Sequence, residues 1–391
     1  MHGRAGKNCE GFYALNIAER GHVKEANLSF FHQNICAFRK EGFARLKGME
    51  STMYLFTEYI NNWDDWHDIK KSTSAFAPLI AYIMQKENLP LAKVENLTPG
   101  TNAVFKVGGY AIKFFVPPEL HDTTHNGYGK DFNIELFGIK WANDRGVPSP
   151  KLITNGIVAD KYLFRYMIME YVHGIALDKI EDRLSYEDKV TIGQHMRNIT
   201  DKLNLPCENF TPIDIMAFAI CNDGWKEEGF PESFLAELSA YLKNFRMGQK
   251  VYCHGDLHEG NVLVSESVKE ANLSFFHQNI FAFRKEGFAR LEGMESNMNV
   301  SIIDFADAMY APAEYELVYI VSSLFGFEKP YMEGYFGQDY AVDDILELCM
   351  TWLPVHAWSH GLLAETIGPA QEITSFAVMR ERLRDWINRA F

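Results

Sequence analysis

Apolar residues in the first third of this chain follow two different spacings. Residues 54–95 show a helical spacing, with one apolar stripe formed by Phe76, Leu79, Ile80, Ile83 and Met84. Two apolar runs follow at 103–107 and 110–115, separated by Gly108-Gly109. This pattern predicts packed helices followed by a β-hairpin.

The spacing changes again after residue 115. A helix is predicted over 131–143 and a strand over 162–172, and helical spacing dominates from 177 to 250 and from 313 to 391. The strand at 162–172 has the character of a linker, because it stands between the β-rich part and the helical part. The pattern therefore predicts a small β-rich lobe followed by a larger helical lobe.

Two polar segments follow short apolar runs within the helical part. Asp256 and Asn261 lie in a polar turn between runs at 251–253 and 262–264, and Asp304 ends a later run that contains Ile302 and Ile303. The pattern places two carboxylates and one amide at the ends of short strands. Phosphoryl transfer needs a base for the acceptor hydroxyl and oxygen ligands for Mg²⁺, and these side chains supply both.

One cation stands inside an otherwise apolar strand upstream. Lys113 is costly there unless it is paired, so one interpretation is that it meets phosphate oxygens and a carboxylate, with Glu135 as the candidate partner. The alternative is an edge lysine that extends its ammonium group into water, which Lys113 taken alone favours. Glu135 would then be an ordinary acid in the first turn of a helix. The turn from Gly100 to Asn102 contains one glycine and is weak evidence for a phosphate-binding loop by itself.

Further candidates each have two interpretations. Backbone groups between Glu170 and Val172 could hydrogen-bond an adenine, or this could be a buried central strand without a ligand. His254 is interpreted as bracing its loop rather than shuttling protons. Three acids after residue 304 could line a pocket for an amine-bearing acceptor or cap the next helix, and both options stay open: Asp307, Glu314 and Glu316.

A segment of the chain occurs twice. Residues 23–53 recur at 268–298 with only three differences, and two such distant copies are not a stacked repeat array. The second copy separates Val264 from Val300, which would otherwise flank the turn of a short hairpin. An insertion at that turn leaves the polar ends of the hairpin in place. Three interpretations stay open: a duplication without function, a docking or dimerisation helix, and a contribution to the acceptor site.

Composition narrows the class of protein. The 391 residues are 47% hydrophobic, which suffices for two lobes, and the net charge of −14 argues against nucleic acid or an anionic membrane as a partner. Six scattered cysteines without a C-x-x-C motif indicate reduced thiols. No signal peptide is apparent, and the longest apolar run, at 75–84, is too short to span a bilayer. We therefore expect a cytoplasmic protein.

Taken together, the motifs resemble the aminoglycoside phosphotransferase/choline kinase-like superfamily. The resemblance rests on His254-Gly-Asp-Leu-His-Glu-Gly-Asn261 followed by Ile302-Ile-Asp-Phe-Ala-Asp-Ala308. The order of the upstream candidates also matches that family: Gly100-Thr-Asn102, Lys113, Glu135 and Met169-Glu-Tyr-Val172. The run from residue 304 into Tyr315-Glu316 is similar to the hygromycin-phosphotransferase-like branch. The resemblance covers about residues 75–391 apart from the second repeat copy, and Ala306 departs from the glycine common at that position.

The resemblance implies an α+β, bilobal, protein-kinase-like fold with a small β-rich N-lobe and a larger helical C-lobe. Residues 1–53 would form an N-terminal extension that holds the first repeat copy. Residues 54–172 would form the N-lobe with the nucleotide site. Residues 173–391 would form the C-lobe, interrupted by the repeat insertion at 266–298.

The resemblance also implies roles, with ATP and Mg²⁺ as cofactors. Asp256 would accept or orient the proton of the acceptor hydroxyl, and Asn261 and Asp304 would hold Mg²⁺. Lys113, positioned by Glu135, would contact the α- and β-phosphates. The remaining nucleotide-binding candidates are Gly100, Asn102, Glu170 and Val172.

The expected activity is ATP-dependent transfer of the γ-phosphate to a hydroxyl of a small molecule. An aminoglycoside-like or amino-sugar acceptor is the leading expectation, and it would place the protein in antibiotic resistance. One alternative is a metabolite kinase with a choline-like or sugar acceptor. Another is a non-catalytic nucleotide-binding module that self-associates through its repeats, but such a module has no need of the full set of chemical residues.

Overall fold

The computed structural model describes residues 54–98, 100–120, 130–266, 298–337 and 340–390. The predicted N-terminal extension at 1–53 and nearly all of the second repeat copy lie outside these residues. The expectations for both repeat copies therefore stay predictions.

The N-lobe consists of two helices and a five-stranded antiparallel sheet, with one further helix between the third and fourth strands. Its helices and strands are α1 (Trp63–Ile69), α2 (Thr73–Lys86), β1 (Val94–Asn96), β2 (Ala103–Val107), β3 (Tyr110–Phe114), α3 (Lys130–Asp144), β4 (Leu152–Ala159) and β5 (Leu163–Glu170). The strand order in the sheet is β1-β2-β3-β5-β4. Strands β2 and β3 pair from Ala103↔Phe114 to Val107↔Tyr110, so the hairpin predicted at the glycine pair is confirmed.

The helical prediction for residues 54–95 is wrong at both ends: residues 87–93 form a turn and a loop that leads into β1, and residues 54–62 are not helical either. This segment is extended, and its backbone is bound by the turn between β4 and β5. The carboxylate of Asp160 accepts hydrogen bonds from the N–H groups of Leu55 and Phe56, and the hydroxyl of Tyr162 accepts one from Ile60 at 2.7 Å. Because partners about a hundred residues away satisfy these N–H groups, the segment does not need helical hydrogen bonds.

The helices α1 and α2 have local signals that explain where they begin. Asn62 caps α1 by accepting a hydrogen bond from the N–H of Asp65, and Ser72 caps α2 in the same way at Ala75. Each such cap contributes about 1 kcal/mol. The predicted apolar stripe of α2 is fully buried and packs on the sheet, with Phe76 5.0 Å from both Phe105 and Phe114.

The C-lobe is mostly helical. Its elements are β6 (Ile175–Ala176), α4 (Tyr186–Leu203), α5 (Ile215–Ile220), α6 (Gly224–Glu227), α7 (Glu232–Asn244), β7 (Val251–Cys253), β8 (Val262–Glu266), β9 (Met298–Ile302), β10 (Met309–Ala311), α8 (Ala313–Tyr319), a π-helical turn (Ile320–Leu324), α9 (Lys329–Phe336), α10 (Val342–Trp352), α11 (Ser359–Thr366) and α12 (Phe376–Ala390). One large hydrophobic core joins these elements, and the N-lobe has a separate one. The α+β bilobal fold class predicted from the sequence is therefore confirmed.

The hairpin that the second repeat copy interrupts is present. Strands β8 and β9 are antiparallel, with pairs from Val262↔Ile302 to Glu266↔Met298, and β6 extends this sheet on the other side of β8. The end at Val262 and Ile302 adjoins the polar segments, whereas the end at Glu266 and Met298 adjoins the insertion. The hairpin predicted from the sequence is thus confirmed.

The sequence pattern missed strand β4. Its residues alternate poorly between buried and exposed positions, and Ile153 and Ile157 are exposed on an edge of the sheet. An edge strand has a neighbouring strand on one side only. Packing therefore constrains its side chains less, and its apolar pattern is weak. Within the described ranges, no helix is long and apolar enough to cross a membrane.

Candidate active site

A buried lysine lies at the centre of the predicted site. The Nζ atom of Lys113 lies 2.8 Å from Oε1 and 2.7 Å from Oε2 of Glu135, and 2.9 Å from Oδ1 of Asp304. Lys113 comes from β3 of the N-lobe, Glu135 from α3, and Asp304 from the segment after β9. The structure therefore brings together three predicted site residues, and the alternative of an exposed edge lysine is wrong, because Lys113 is only 5% exposed.

The charges of this cluster stabilise one another. Burial alone would lower the pKa of Lys113, but the carboxylates of Asp304 and Glu135 outweigh it and raise the pKa. Burial opposes ionisation of Asp304, yet the attraction of Lys113 holds the pKa of Asp304 below its ordinary value. Burial also raises the pKa of Glu135 to about 7, against the attraction of Lys113. Lys113 is thus a permanent cation shared by two acids.

The loop of residues 254–261, named here the HGD loop, holds the second group of predicted residues. The amide nitrogen of Asn261 donates hydrogen bonds to the carbonyl oxygen of Asp256 at 2.9 Å and to its carboxylate Oδ2 at 3.2 Å. The Asp256 carboxylate also lies 3.7 Å from Nε2 of His258. Burial, together with the negative charge of Asp304, raises the pKa of Asp256.

Backbone contacts join the HGD loop to the segment that carries Asp304. The N–H of Ile303 donates a hydrogen bond to the carbonyl of Asn261 at 3.0 Å, and Nε2 of His254 lies 3.1 Å from the carbonyl of Ile303. His254 is fully buried, and burial lowers its pKa to about 4, so its ring stays neutral at physiological pH. His254 therefore braces the loop, as predicted from the sequence.

The backbone at Asp304 adopts an unusual conformation. Its φ angle is +66°, in the left-handed region that residues with a side chain rarely occupy. Such strain costs on the order of 1–3 kcal/mol and persists where surrounding contacts fix the residue. Here Lys113 binds the carboxylate, and strand β9 and the bond from Ile303 to Asn261 hold the preceding backbone.

A buried acid that the sequence left between two interpretations has a third role. Glu316, in α8, is 1% exposed, and its carboxylate accepts hydrogen bonds from the backbone N–H groups of His254 and Gly255. Burial raises the pKa of Glu316 to about 7. Glu316 therefore neither caps its helix nor lines a pocket; it holds the start of the HGD loop.

The other two acids differ from Glu316. Glu314 is exposed on α8. Asp307 is partly buried, and burial together with the charges of Asp256 and Asp304 raises its pKa to about 7. The ionisation of Asp307 is thus coupled to both predicted site carboxylates.

The turn at 100–102 lies above this cluster. A Cβ atom at Gly100 would lie 3.9 Å from Oδ2 of Asp304, so the turn and that carboxylate are neighbours. The side chain of Asn102 is buried and accepts a hydrogen bond from the N–H of Val116 at 3.2 Å. Two buried residues support the turn, one within α1 and one directly after it. The indole of Trp66 donates a hydrogen bond to the carbonyl of Thr101 at 2.8 Å, and Lys70 donates one to the carbonyl of Gly100. The sequence analysis missed both supports, because nothing in their local spacing shows their partners.

The segment between the lobes holds the last predicted residues. Glu170 ends β5, and its N–H donates to the carbonyl of Lys151 at 2.9 Å. The N–H of Tyr171 donates to the carbonyl of Gly109, whereas Val172 makes no backbone hydrogen bond to another residue that the structure describes.

Known proteins resemble this chain in sequence over one segment. Residues 135–271 match the sequence profile of the APH family, which is described as a phosphotransferase enzyme family. The matching segment starts at Glu135 and includes the whole HGD loop and strand β8. No curated protein sequence matches the chain.

Several solved structures are similar in shape. The GDP complex of wild-type aminoglycoside 2'-phosphotransferase-IIIa is 16% identical, with 80% of this chain and 94% of that chain covered and a TM-score of 0.47. A choline/ethanolamine kinase family protein from Mesorhizobium loti is 15% identical, with 76% and 93% covered and a TM-score of 0.42. The apo form of a thermostable mutant of aminoglycoside phosphotransferase APH(4)-Ia is 14% identical, with 79% and 98% covered and a TM-score of 0.42.

The resemblance expected from the sequence is therefore confirmed where the profile matches: residues 135–271 match the phosphotransferase enzyme family.

Proposed function

We propose that this protein is an ATP-dependent O-phosphotransferase that transfers the γ-phosphoryl group to a hydroxyl of a small molecule. The observation that carries the proposal is the binding of Lys113 to both Glu135 and Asp304 at distances of 2.7–2.9 Å. A buried cation held by two acids from different elements is costly unless it serves a ligand or a fixed geometry. Phosphoryl transfer is a reaction that depends mainly on such positioned charges.

The nucleotide would lie between the turn at Gly100 and the segment around Val172. The backbone near Glu170 and Val172 would hydrogen-bond the base, and Lys113 would contact the α- and β-phosphates. The side chain of Asn102 already accepts a hydrogen bond from the N–H of Val116, so Asn102 would stabilise the turn. We propose lobe boundaries at 54–172 and 173–391 on the same basis, with the nucleotide between them.

The residues present fit Mg²⁺, which this family implies. Asn261 uses its amide nitrogen to bind Asp256, which leaves its oxygen to face a ligand, and Asp304 uses Oδ1 for Lys113, which leaves Oδ2. Oxygen ligands from one carboxylate and one amide suit Mg²⁺, because this ion keeps several waters and binds substrate phosphates. In keeping with such a small set, the described ranges contain no cluster of three or more His, Cys, Asp or Glu side chains that could hold a metal ion. When bound, the ion would neutralise phosphate charge.

The chemical step assigns one role to Asp256. The acceptor oxygen attacks the γ-phosphorus, the bond from that phosphorus to the β–γ bridging oxygen breaks, and ADP leaves. Asp256 orients the acceptor hydroxyl and receives its proton. The raised pKa of Asp256 makes it a better base than an exposed aspartate, since basicity rises with pKa. Lys113 stabilises the negative charge on the phosphates.

An acceptor with an amino group suits the charges of the site. Beside burial, the charge of Asp304 raises the pKa of Asp256, and the charges of Asp256 and Asp304 raise the pKa of Asp307, as expected for a local excess of negative charge. A protonated amine on the acceptor would relieve this repulsion. We therefore propose an aminoglycoside-like or amino-sugar acceptor, which would give the protein a role in antibiotic resistance.

Phosphoryl transfer to a panel of acceptors tests the proposal. The purified protein is incubated with Mg·ATP and, in parallel, Mg·GTP, together with aminoglycosides, amino sugars, choline and simple sugars. Mass spectrometry detects an acceptor heavier by one phosphate, and a coupled assay measures ADP or GDP release. We expect a phosphorylated amino-bearing acceptor; nucleotide binding without transfer to any acceptor of the panel contradicts the proposal.

A further inference from the structure

Helix α3 carries Glu135 and packs on both lobes: its Phe132 lies against Phe115 and Met167 on the side of the sheet that carries Lys113. Ile134, Ile139 and Ala142 of this helix belong to the large C-lobe core, and none of its residues belongs to the main N-lobe core. The position of Glu135 is therefore set in part by what α3 rests on in the C-lobe.

Two features of the C-lobe form that support. An aromatic stack joins the outer side of α3 to the C-lobe: the ring of Phe137 lies 4.4 Å from that of Phe210 at an interplanar angle of 4°, and the ring of Trp141 lies 5.7 Å from that of Tyr252. Aromatic pairs of this kind stabilise the packing beyond the area they bury. The stack fixes the rotation of the helix about its axis.

The second feature is a close approach at Gly138. A Cβ atom at this position would lie 2.5 Å from the hydroxyl oxygen of Tyr252 and 2.8 Å from Cβ of Phe305. Both distances are shorter than the closest approach between a Cβ atom and another heavy atom in proteins, so only glycine fits without a shift of the helix. Tyr252 is fully buried, and its hydroxyl has no hydrogen-bond partner among the described residues.

The place of this contact links it to the site. Gly138 is one helical turn after Glu135, so the two positions share a face of α3. Phe305 is next to Asp304, and Tyr252 is two residues before His254. The helix therefore rests on residues that immediately adjoin the HGD loop and the Asp304 segment.

We propose that Gly138 is a positioning residue for the nucleotide site. Its missing side chain lets α3 lie directly on Tyr252 and Phe305, and this seat places Glu135 against Lys113. The inference rests on the proposed nucleotide site and adds to it the element that sets the geometry of the lysine. Gly138 itself touches neither the nucleotide nor the acceptor.

The test compares two glycine substitutions of the same steric kind. Gly138→Ala should push α3 off its seat. Gly193→Ala is the matched control, because a Cβ atom there would overlap the carbonyl oxygen of Tyr331 and lie 3.0 Å from Cα of Gly334, at a helix crossing within the C-lobe. Both variants should lose thermal stability. Affinity for a fluorescent ATP analogue with Mg²⁺ is then measured at a temperature where circular dichroism shows both to be folded.

We expect Gly138→Ala to weaken nucleotide binding about tenfold, the scale of one charge-assisted hydrogen bond, while Gly193→Ala stays within about twofold. Adding Tyr252→Phe to Gly138→Ala removes the oxygen at 2.5 Å and should recover about threefold of the loss. The recovery is incomplete because Cβ of Phe305 remains. Equal losses for the two glycine variants, or no recovery in the double variant, overturn the inference.

A crystal structure of the variant gives a second measurement that does not depend on nucleotide. We expect the Lys113–Glu135 distance to exceed about 4 Å, the limit of an ion pair; an unchanged contact overturns the inference. Should Gly138→Ala fail to fold, the double variant takes its place in both measurements. If the unsubstituted protein binds no nucleotide, the proposed function fails, and the crystal structure still decides whether Gly138 positions Glu135.

Discussion

The Nζ atom of Lys113 lies 2.9 Å from Oδ1 of Asp304, although 191 positions separate the two residues in the sequence. The contact joins a strand of the N-lobe sheet to the segment that follows the β8–β9 hairpin of the C-lobe. Since Lys113 also binds Glu135, one ammonium group ties three elements together. The site is therefore assembled only when both lobes are folded and in contact.

Removal of this ammonium group should weaken nucleotide binding. Lys113→Ala leaves the carboxylates of Glu135 and Asp304 without their shared cation, so we expect about a 10- to 100-fold loss of nucleotide affinity. Because an unpaired buried acid is left behind, the free energy of unfolding should also fall by about 3 kcal/mol. Titration with a fluorescent ATP analogue and urea unfolding measure the two effects.

A second lysine of the same sheet provides the control for Lys113→Ala. Lys106 lies on the neighbouring strand β2 and pairs with Glu95 at 3.7 Å, near the surface. Exposed ion pairs contribute about 1 kcal/mol or less, so Lys106→Ala should change neither measurement much. Similar losses in both variants would show that Lys113 acts only through the stability of the sheet.

Substitution of either site carboxylate should strongly reduce transfer while leaving the fold intact. Asp256→Asn removes the proton acceptor, for which we expect a loss of about 10²–10⁴ in kcat. Asp304→Asn removes the proposed metal ligand and should raise the Mg²⁺ concentration needed for half-maximal rate. Rates over a Mg²⁺ series measure both effects, and Asp344→Asn, at an exposed aspartate of α10, is the control. Wild-type turnover in either site variant contradicts its assigned role.

Loss of the carboxylate at Glu316 should disturb the start of the HGD loop, which this carboxylate holds. In Glu316→Gln only one side-chain oxygen remains to accept from the N–H groups of His254 and Gly255. A buried donor without a partner costs about 1–3 kcal/mol, and we expect that loss of stability together with a lower kcat. Glu314→Gln, at an exposed position of the same helix, should alter neither quantity. An unchanged kcat in Glu316→Gln would mean that the loop holds its shape without this contact.

Acid should destabilise the protein through a buried histidine. His356 is 1% exposed between the rings of Tyr315 and Tyr319, and burial lowers its pKa from 6.5 to about 3. Below pH 6.5 the unfolded chain binds a proton that the folded protein does not, so the free energy of unfolding falls as pH decreases from 6.5 towards 3. At higher pH the histidine is neutral in both states and adds no pH dependence.

Replacement of the imidazole tests this pH dependence. His356→Phe keeps an aromatic ring between the two tyrosines but has no proton to bind. Between about pH 7.5 and about pH 5, the wild type should lose about 2 kcal/mol of stability relative to the variant. Urea unfolding at both pH values measures the difference, and His67→Phe, at an exposed position of α1, is the control. Parallel pH profiles for wild type and His356→Phe contradict the prediction.

The sequence predicted the elements whose signals are local. The glycine pair at 108–109 marks the β2–β3 hairpin, and the polar segment from His254 to Asn261 marks the HGD loop, because turn residues and apolar runs lie next to each other in the chain. The sequence left Lys113 open: taken alone it favoured an exposed edge lysine, and the interpretation with a carboxylate partner rested on the cost of an unpaired ammonium group in a core.

The sequence could not predict features that depend on distant partners. Glu316 binds a backbone N–H of Gly255, 61 positions away, and the N–H groups of residues 55 and 56 bind a carboxylate more than a hundred positions away. Gly138 has no turn around it, so only the folded structure shows what a side chain there would meet. Neither apolar spacing nor residue type reveals such contacts.

The β8–β9 hairpin allows a decisive test of the inserted repeat copy. Glu266 pairs with Met298 at one end of the hairpin, and Val262 pairs with Ile302 at the other. At about 3.3 Å per residue, four steps separate the insertion from the site end of β8 by about 13 Å. A variant in which Asn-Gly replaces residues 267–297 would close the hairpin with a two-residue type I′ turn.

We expect this deletion variant to retain nucleotide affinity and transfer rate within about twofold, because Asn261 and Asp304 lie at the opposite end of the hairpin and long insertions at a turn cost little closure entropy. Size-exclusion chromatography with light scattering compares its oligomeric state with that of the full chain. Unchanged activity with a lower oligomeric state would identify the repeat as an assembly segment. A large loss of transfer with unchanged nucleotide affinity would instead place the repeat at the acceptor site and contradict the prediction. If both activity and assembly are unchanged, the second copy is a duplication that the catalytic fold tolerates because it enters at the end of the hairpin farthest from the chemistry.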